Sequence, residues 1–184
     1  MNQQTERNFD KGNIKHNILT AISFTIESFL HTEDWESSIN KILQHLGKAI
    51  DVSRVYIFEN TYDDNGLLVM NQRFEWANEG ISPQITNQDL IQLPYTQFPE
   101  WEKSFLQNEN IVGNTIDFND TIREILEPQQ TKSIALVPIF SDNTWWGFIG
   151  FDECAKERNW DTEVMELLKI VSNIIGATIA RHTI

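Results

Sequence analysis

Trp145-Trp146-Gly147-Phe148-Ile149-Gly150-Phe151-Asp152 is the stretch on which the reading of this chain turns. It is an aromatic, apolar run with two glycines and an acidic end. Glycine weakens a strand unless something must approach its backbone closely. Two glycines at i and i+3 therefore predict a strand over which bulky groups pack. Adjacent residues of a strand face opposite sides, so at most one of Trp145 and Trp146 points into any pocket on one face. Arg158-Asn159-Trp160 follows as a short polar loop. A final helix then carries Val164, Leu167, Leu168, Val171, Ile174, Ile175, Thr178 and Ile179 at steps of three and four.

Reading backward, residues 133–140 form the partner strand of a hairpin turning at Ser141-Asp142-Asn143. Asp63-Asp64-Asn65-Gly66 is a second strong hairpin signal. It joins a strand at 52–59, with Val55 and Ile57 alternating against Tyr56 and Phe58, to a return strand at 67–77. Strict alternation puts Met70, Gln72, Phe74 and Trp76 on one face, with Arg73 and Glu75 on a wetter one. The middle, 78–97, has Pro83, Pro94 and no period, which predicts a long loop across the domain. Short helices are expected at 100–107 and from Asn119 or Asp120 to Leu126, with a short strand or bend at 111–113. Upstream, Ile14, Ile18, Leu19, Ile22, Ile26, Phe29 and Leu30 make one helical stripe. Trp35, Ile39, Ile42, Leu43, Leu46 and Ile50 make a second.

Strands joined by tight turns are antiparallel. The expected fold is therefore α+β: a sheet of about five to six strands, with a helical layer from the N- and C-terminal helices on one face and an irregular helical and loop cover on the other. Residues 1–13 are expected to be a flexible N-terminus, and 14–184 a single domain.

Composition narrows the function. The 184 residues carry a net charge of −13. That argues against nucleic acid or an anionic membrane surface as partner, since both reward clustered Lys and Arg. No apolar run reaches the roughly 20 residues of a membrane span. A single cysteine, Cys154, allows no intrachain disulfide and suits a reducing compartment, so a cytoplasmic location is expected. No Gly-x-Ser-x-Gly, phosphate-cradling loop or His-Glu-x-x-His is present, and no enzymatic activity is expected of this segment. His16, His31, His45 and His182 all fall on the expected helical layer without metal-ligand spacing, and no metal or cofactor is assigned.

Several pieces in order resemble a known family. They are Val52-Ser53-Arg54-Val55-Tyr56-Ile57-Phe58-Glu59-Asn60, Arg73-Phe74-Glu75-Trp76, the run 134–140 with Pro138, and the opening strand with Glu153-Cys154 and Arg158-Asn159-Trp160. Over about residues 24–181 the chain resembles a GAF domain, the small-molecule-sensing module of signalling proteins, of the subgroup found in prokaryotic sensor histidine kinases. The resemblance implies a ligand cavity under the irregular segment, about 81–126. It also implies terminal helices that form a parallel homodimer and relay a twist or shift to an output domain. The terminal stripe, still periodic near Ile184, suggests a fragment of a longer protein. Bilin-carrying members place a cysteine in the cover, commonly beside a histidine. Here that segment holds neither, which argues against a covalent bilin. Members that reduce methionine sulfoxide need several cysteines, which one cannot supply.

The expected ligand-pocket residues are Phe74, Trp76, Tyr95, Phe98, Trp101, Arg123, Trp146 and Phe148, with Trp145 the alternative to Trp146. Ordinary core packing competes with this reading at each aromatic. Arg123 reads more readily as a solvated helix residue, and Asp152 as a solvent-facing cap on its loop. The expected dimer positions are Ile18, Ile22, Val171, Ile174, Ile175 and Ile179. The competing function is a ligand-free dimerising spacer with a filled cavity. A haem-based gas or redox sensor using Cys154 or a histidine is the weaker alternative.

Overall fold

The computed structural model describes residues 3–182, with side chains from residue 12 onward. Two long helices come first, α1 (Gln3–Leu30) and α2 (Trp35–Ile50). Helix α1 begins well ahead of its apolar stripe; residues 1 and 2 of the expected flexible N-terminus lie outside the described residues. The carboxylate of Asp34 caps α2 by accepting from the Glu36 N–H, and Asp51 ends it in a left-handed conformation.

The strands are β1 (Arg54–Tyr62), β2 (Leu68–Ala77), β3 (Leu93–Pro94), β4 (Ile111–Asn114), β5 (Ser133–Ser141) and β6 (Thr144–Glu153). Among the described residues they form one antiparallel sheet in the order β3-β2-β1-β6-β5-β4. Both expected hairpins are present. In the first, Asp63 Oδ1 accepts from the N–H groups of Asn65 and Leu67, and Gly66 has a positive φ. In the second, Asp142 and Asn143 both have positive φ, the twist that a two-residue hairpin needs.

Helices α1, α2 and α5 (Thr162–His182) pack on one face of the sheet. The other face carries the cover: the irregular stretch from 78, α3 (Pro99–Leu106) and α4 (Asp120–Leu126), with single helical turns between them. Two apolar cores result, one on each side. Strand β1 contributes to both, with Val55 and Ile57 toward the helices and Tyr56 and Phe58 toward the cover.

Two β-bulges decide which residues belong to which core. Ile57 pairs with Phe74 but Phe58 pairs with Gln72, leaving Arg73 as the extra residue of β2. Ile139 pairs with Gly147 but Phe140 pairs with Trp145, leaving Trp146 as the extra residue of β6. An extra residue reverses the alternation beyond it. The single face read from the sequence for Met70, Gln72, Phe74 and Trp76 is therefore split. Met70 lies in the cover-side core, while Phe74 and Trp76 pack toward the helices.

The two glycines of β6 have different causes. A Cβ on Gly150 would fall 2.1 Å from the Tyr56 ring, so a bulky group does lie over the strand there. A Cβ on Gly147 would fall 2.0 Å from the backbone oxygen of Phe58. Backbone cannot rotate away, so Gly147→Ala is expected to force β1 and β6 apart and cost about 1–3 kcal/mol. Chemical denaturation of the variant against the parent measures it.

Candidate functional site

A cavity lies between the sheet and the cover. Its apolar wall includes Phe58, Met70 and Phe148 from the sheet and Phe98, Trp101 and Ile122 from the cover. The space within it, partly open to solvent, is about 40 Å³, room for about three water molecules. Aromatic stacking accounts for the small size. Phe148 stacks between Phe58 and Phe105, with ring centroids 5.0 and 5.1 Å away, and Phe98 stacks on Trp101 at 5.2 Å.

One end of the cavity is polar and built around Arg54, whose side chain is fully buried. Arg54 Nε and Nη2 donate to Asp152 Oδ2 at 3.1 and 2.9 Å. Asp152 also accepts from the Tyr56 hydroxyl at 2.8 Å and the Thr131 hydroxyl at 3.1 Å. Burial pushes the Asp152 carboxyl up from its ordinary value, against Arg54 and the two hydroxyls. Burial pulls the Arg54 guanidinium down, yet the neighbouring Asp152 holds it above its ordinary value. Protonating Asp152 would strand a buried guanidinium, so the geometry supports an ionised pair at neutral pH.

The pair also ties the cover to the sheet. Arg54 Nη1 donates to the Ser82 carbonyl at 3.1 Å, and Nη2 to the Gln129 carbonyl at 3.0 Å. Glu75 makes a second tie, accepting from the N–H groups of Gln84 and Ile85. Burial pushes the Glu75 carboxyl up; those two N–H groups pull it back. Both chain segments entering and leaving the cover are thus fastened at the polar end, while Phe98 and Trp101 close the apolar end.

Of the expected pocket residues, Phe98, Trp101 and Phe148 line the cavity. Tyr95 belongs to the same core, packs against Trp145 and donates to Asn60, but stands behind the cavity wall. Phe74, Trp76 and Trp146 face the helices instead: Trp35 meets Phe74 and Trp146 edge-on, and Trp76 lies over Gly47. The bulges at Arg73 and Trp146 are the reason, and Trp145 takes the cover-side place read for Trp146. Arg123 is on the outer surface of α4, paired with Asp120 and Glu127. Asp152, read as a solvent-facing cap, is buried.

Sequence reasoning missed Arg54, Tyr56, Gln72 and Glu75 as cavity residues. One signal was available: an arginine at the head of an apolar strand is almost never buried unless paired. The six dimer positions also land elsewhere. Ile18, Ile22, Val171, Ile175 and Ile179 are buried in the helix-side core of this chain, and Ile174 is half-buried against it. The stripes pack on the sheet and on each other. Cys154 is half-buried, and burial pushes its thiol up. No group of His, Cys, Asp and Glu suited to a metal ion occurs among the described residues. No described helix is long and apolar enough to cross a membrane.

Comparison with known proteins agrees with this architecture. The chain is 36% identical over 165 residues to the methanogenesis regulatory histidine kinase FilI of Methanothrix harundinacea (strain 6Ac). The match covers 89% of this chain and 18% of that protein, so the chain corresponds to a small part of its relative. Among solved structures, the phycocyanobilin-bound GAF domain from a cyanobacterial phytochrome is similar, with a TM-score of 0.74 at 15% identity, covering 90% of this chain and 94% of that one. A far-red absorbing dark-state structure with bound biliverdin IXa matches with a TM-score of 0.72 at 19% identity, covering 89% of this chain and 99% of that one. At these identities the structures establish the fold. The profile described as "GAF domain" matches residues 34–179, and the chain therefore belongs to the GAF domain family.

Proposed function

We propose that this chain is the sensory domain of a signal-transduction protein, a sensor histidine kinase of a two-component system, and that it binds a small molecule between sheet and cover. The observation that carries this reading is the cavity, apolar along its length and polar at one end. That is the usual make-up of a small-molecule site. A ligand larger than the 40 Å³ space must displace part of the cover or extend out of the cavity's open side. It then shifts the equilibrium between two packings of the cover by its difference in affinity for them. The ties through Arg54 and Glu75 carry that shift to the sheet, and α1 and α5 on its other face pass it to an output domain. The single cysteine fits the cytoplasm as the place of action.

The spacer reading has one observation in its favour, the tight aromatic stacking that leaves so little room. The haem reading is weaker, because no histidine or cysteine lines the cavity to hold the iron. A bilin has neither room nor an anchoring cysteine there. Native against denaturing mass spectrometry of the purified chain separates the first two. Extra mass lost on unfolding supports the sensor. Bare polypeptide mass that stays bare after exposure to a metabolite extract supports the spacer.

A second copy is also part of this proposal, at a surface different from the one read in the sequence. Leu19, Ile26 and Leu30 of α1 are exposed at 51%, 41% and 66%. Their spacing, with Ser23 between, is that of a coiled-coil seam. Ile26→Asp is expected to turn a dimer into a monomer in light scattering while circular dichroism stays unchanged. A variant as dimeric as the parent counts against this surface.

A further inference from the structure

Among the described residues, Gln72 is the place where a side chain of the cavity wall is chemically incomplete. Its Oε1 is buried and has no hydrogen-bond partner. The other polar side chains around it are engaged. Gln84 donates to the Ser82 carbonyl and accepts from Asn87, Gln129 donates to the Ile125 carbonyl, and Tyr56 donates to Asp152. Gln72 lies beside the carboxylate of Glu75 and helps to hold it down against burial. A carboxylate only accepts, so the amide meets Glu75 through its NH2, and Gln72, which lines the cavity, keeps its oxygen unmatched. In a cavity with room for water that acceptor is left to solvent, and a ligand that supplies a donor replaces the water with a direct bond.

The charges at the same end restrict the ligand further. Arg54 invites an anion only at first sight. Its charge is already matched by Asp152, and its donors are directed at Asp152, Thr131 and two carbonyls. Glu75, which also lines the cavity, adds a further carboxylate. An anionic ligand would meet net negative charge in a low-dielectric space. A cation would lose its hydration facing a carboxylate whose oxygens already accept from Gln84 and Ile85.

We propose that the cavity takes a small uncharged organic molecule, with an apolar body against Phe98, Trp101 and Phe148 and one hydrogen-bond donor directed at Gln72 Oε1. This rests on the sensor reading above and specifies its ligand chemistry.

Three probes of one shape test it: benzyl alcohol, toluene and benzoate, titrated into the intact chain and followed by Trp101-region NMR shifts and thermal unfolding. Benzyl alcohol is expected to bind about tenfold more tightly than toluene, the worth of one hydrogen bond, and benzoate more weakly than both. Gln72→Leu is expected to abolish the advantage of the alcohol while toluene still binds, which also shows that the variant is folded. Gln72→Met replaces it if the leucine variant does not fold. Equal binding of alcohol and toluene, tighter binding of benzoate, or an alcohol advantage that survives in the variant overturns the ligand chemistry and leaves the cavity as a binding site. No binding of any probe overturns this proposal, whereas the sensor reading falls only with bare polypeptide mass in the mass-spectrometry experiment above.

Discussion

Asp152→Ala is expected to lower the unfolding free energy by about 3–5 kcal/mol, because it leaves the Arg54 guanidinium buried without its anion. The two side chains sit at 1% and 2% exposure, so water cannot take the place of the lost carboxylate without opening the structure. The Tyr56 and Thr131 hydroxyls lose their acceptor at the same time. Urea unfolding followed by circular dichroism reads the change as a lower midpoint. A shift below about 1 kcal/mol, the range of exposed pairs, would show the pair to be solvated in solution. The double variant Arg54→Met, Asp152→Leu is expected to recover most of the stability, since a buried ion pair can often be replaced by apolar residues of similar volume. It would not restore the ties to the Ser82 and Gln129 carbonyls. Amide hydrogens of the cover should therefore exchange faster in the double variant than in the parent, while those of β1, β5 and β6 keep their protection.

Phe148→Ala is expected to cost about 3–5 kcal/mol, the range for removing a buried phenylalanine. Phe148 is 2% exposed and stacks on Phe58 from its own sheet and on Phe105 from the cover. Its removal takes away the middle of that stack and joins the lost volume to the existing cavity. The penalty depends on how far the cover collapses into the space. The same urea experiment measures it, and a loss under about 1.5 kcal/mol, typical of volume-conserving swaps, would mean that the cover closes the gap with little strain. Trp146→Ala is the informative control. Trp146 is also on β6 but packs with Trp35 on the helix side, so probe binding in the cavity should survive that substitution and change in Phe148→Ala.

Most of the architecture was legible because it rests on local rules. The helical stripes from Ile14 and from Trp35 have a period near 3.6, and the β1 pattern of Val55, Tyr56, Ile57 and Phe58 has a period of two. The turns at Asp63–Gly66 and at Asp142-Asn143 use residues that tolerate positive φ. With antiparallel pairing forced by short turns, two hairpins, a cover and three helices leave few ways to bury the apolar faces.

The site was half legible. Phe98, Trp101 and Phe148 were read onto the cavity and line it. Phe74, Trp76 and Trp146 were read there by strict alternation, which two bulges interrupt. A bulge adds one residue to a strand without altering its composition, and it shows only in the pairing with the neighbouring strand. Arg54 and Asp152 are 98 positions apart and meet because β1 and β6 are neighbours in register. The stripes of α1 and α5 showed an apolar face correctly but not its partner, which is the sheet and the adjacent helices of this chain.

What this sequence determined alone is therefore the main helices and strands, their order and the α+β class, since each depends on the periodicity and turn chemistry of neighbouring residues, and, through the resemblance of its motifs, the family; the short β3 inside the stretch read as loop was not among them. The tertiary structure decided which core each β2 and β6 side chain enters, that Asp152 is buried against Arg54, that Gln72 is left with an unmatched acceptor, and that Ile18, Ile22, Val171, Ile175 and Ile179 are buried within the chain while Leu19, Ile26 and Leu30 stay exposed. These depend on strand register and on pairings between distant residues, and no local pattern encodes either.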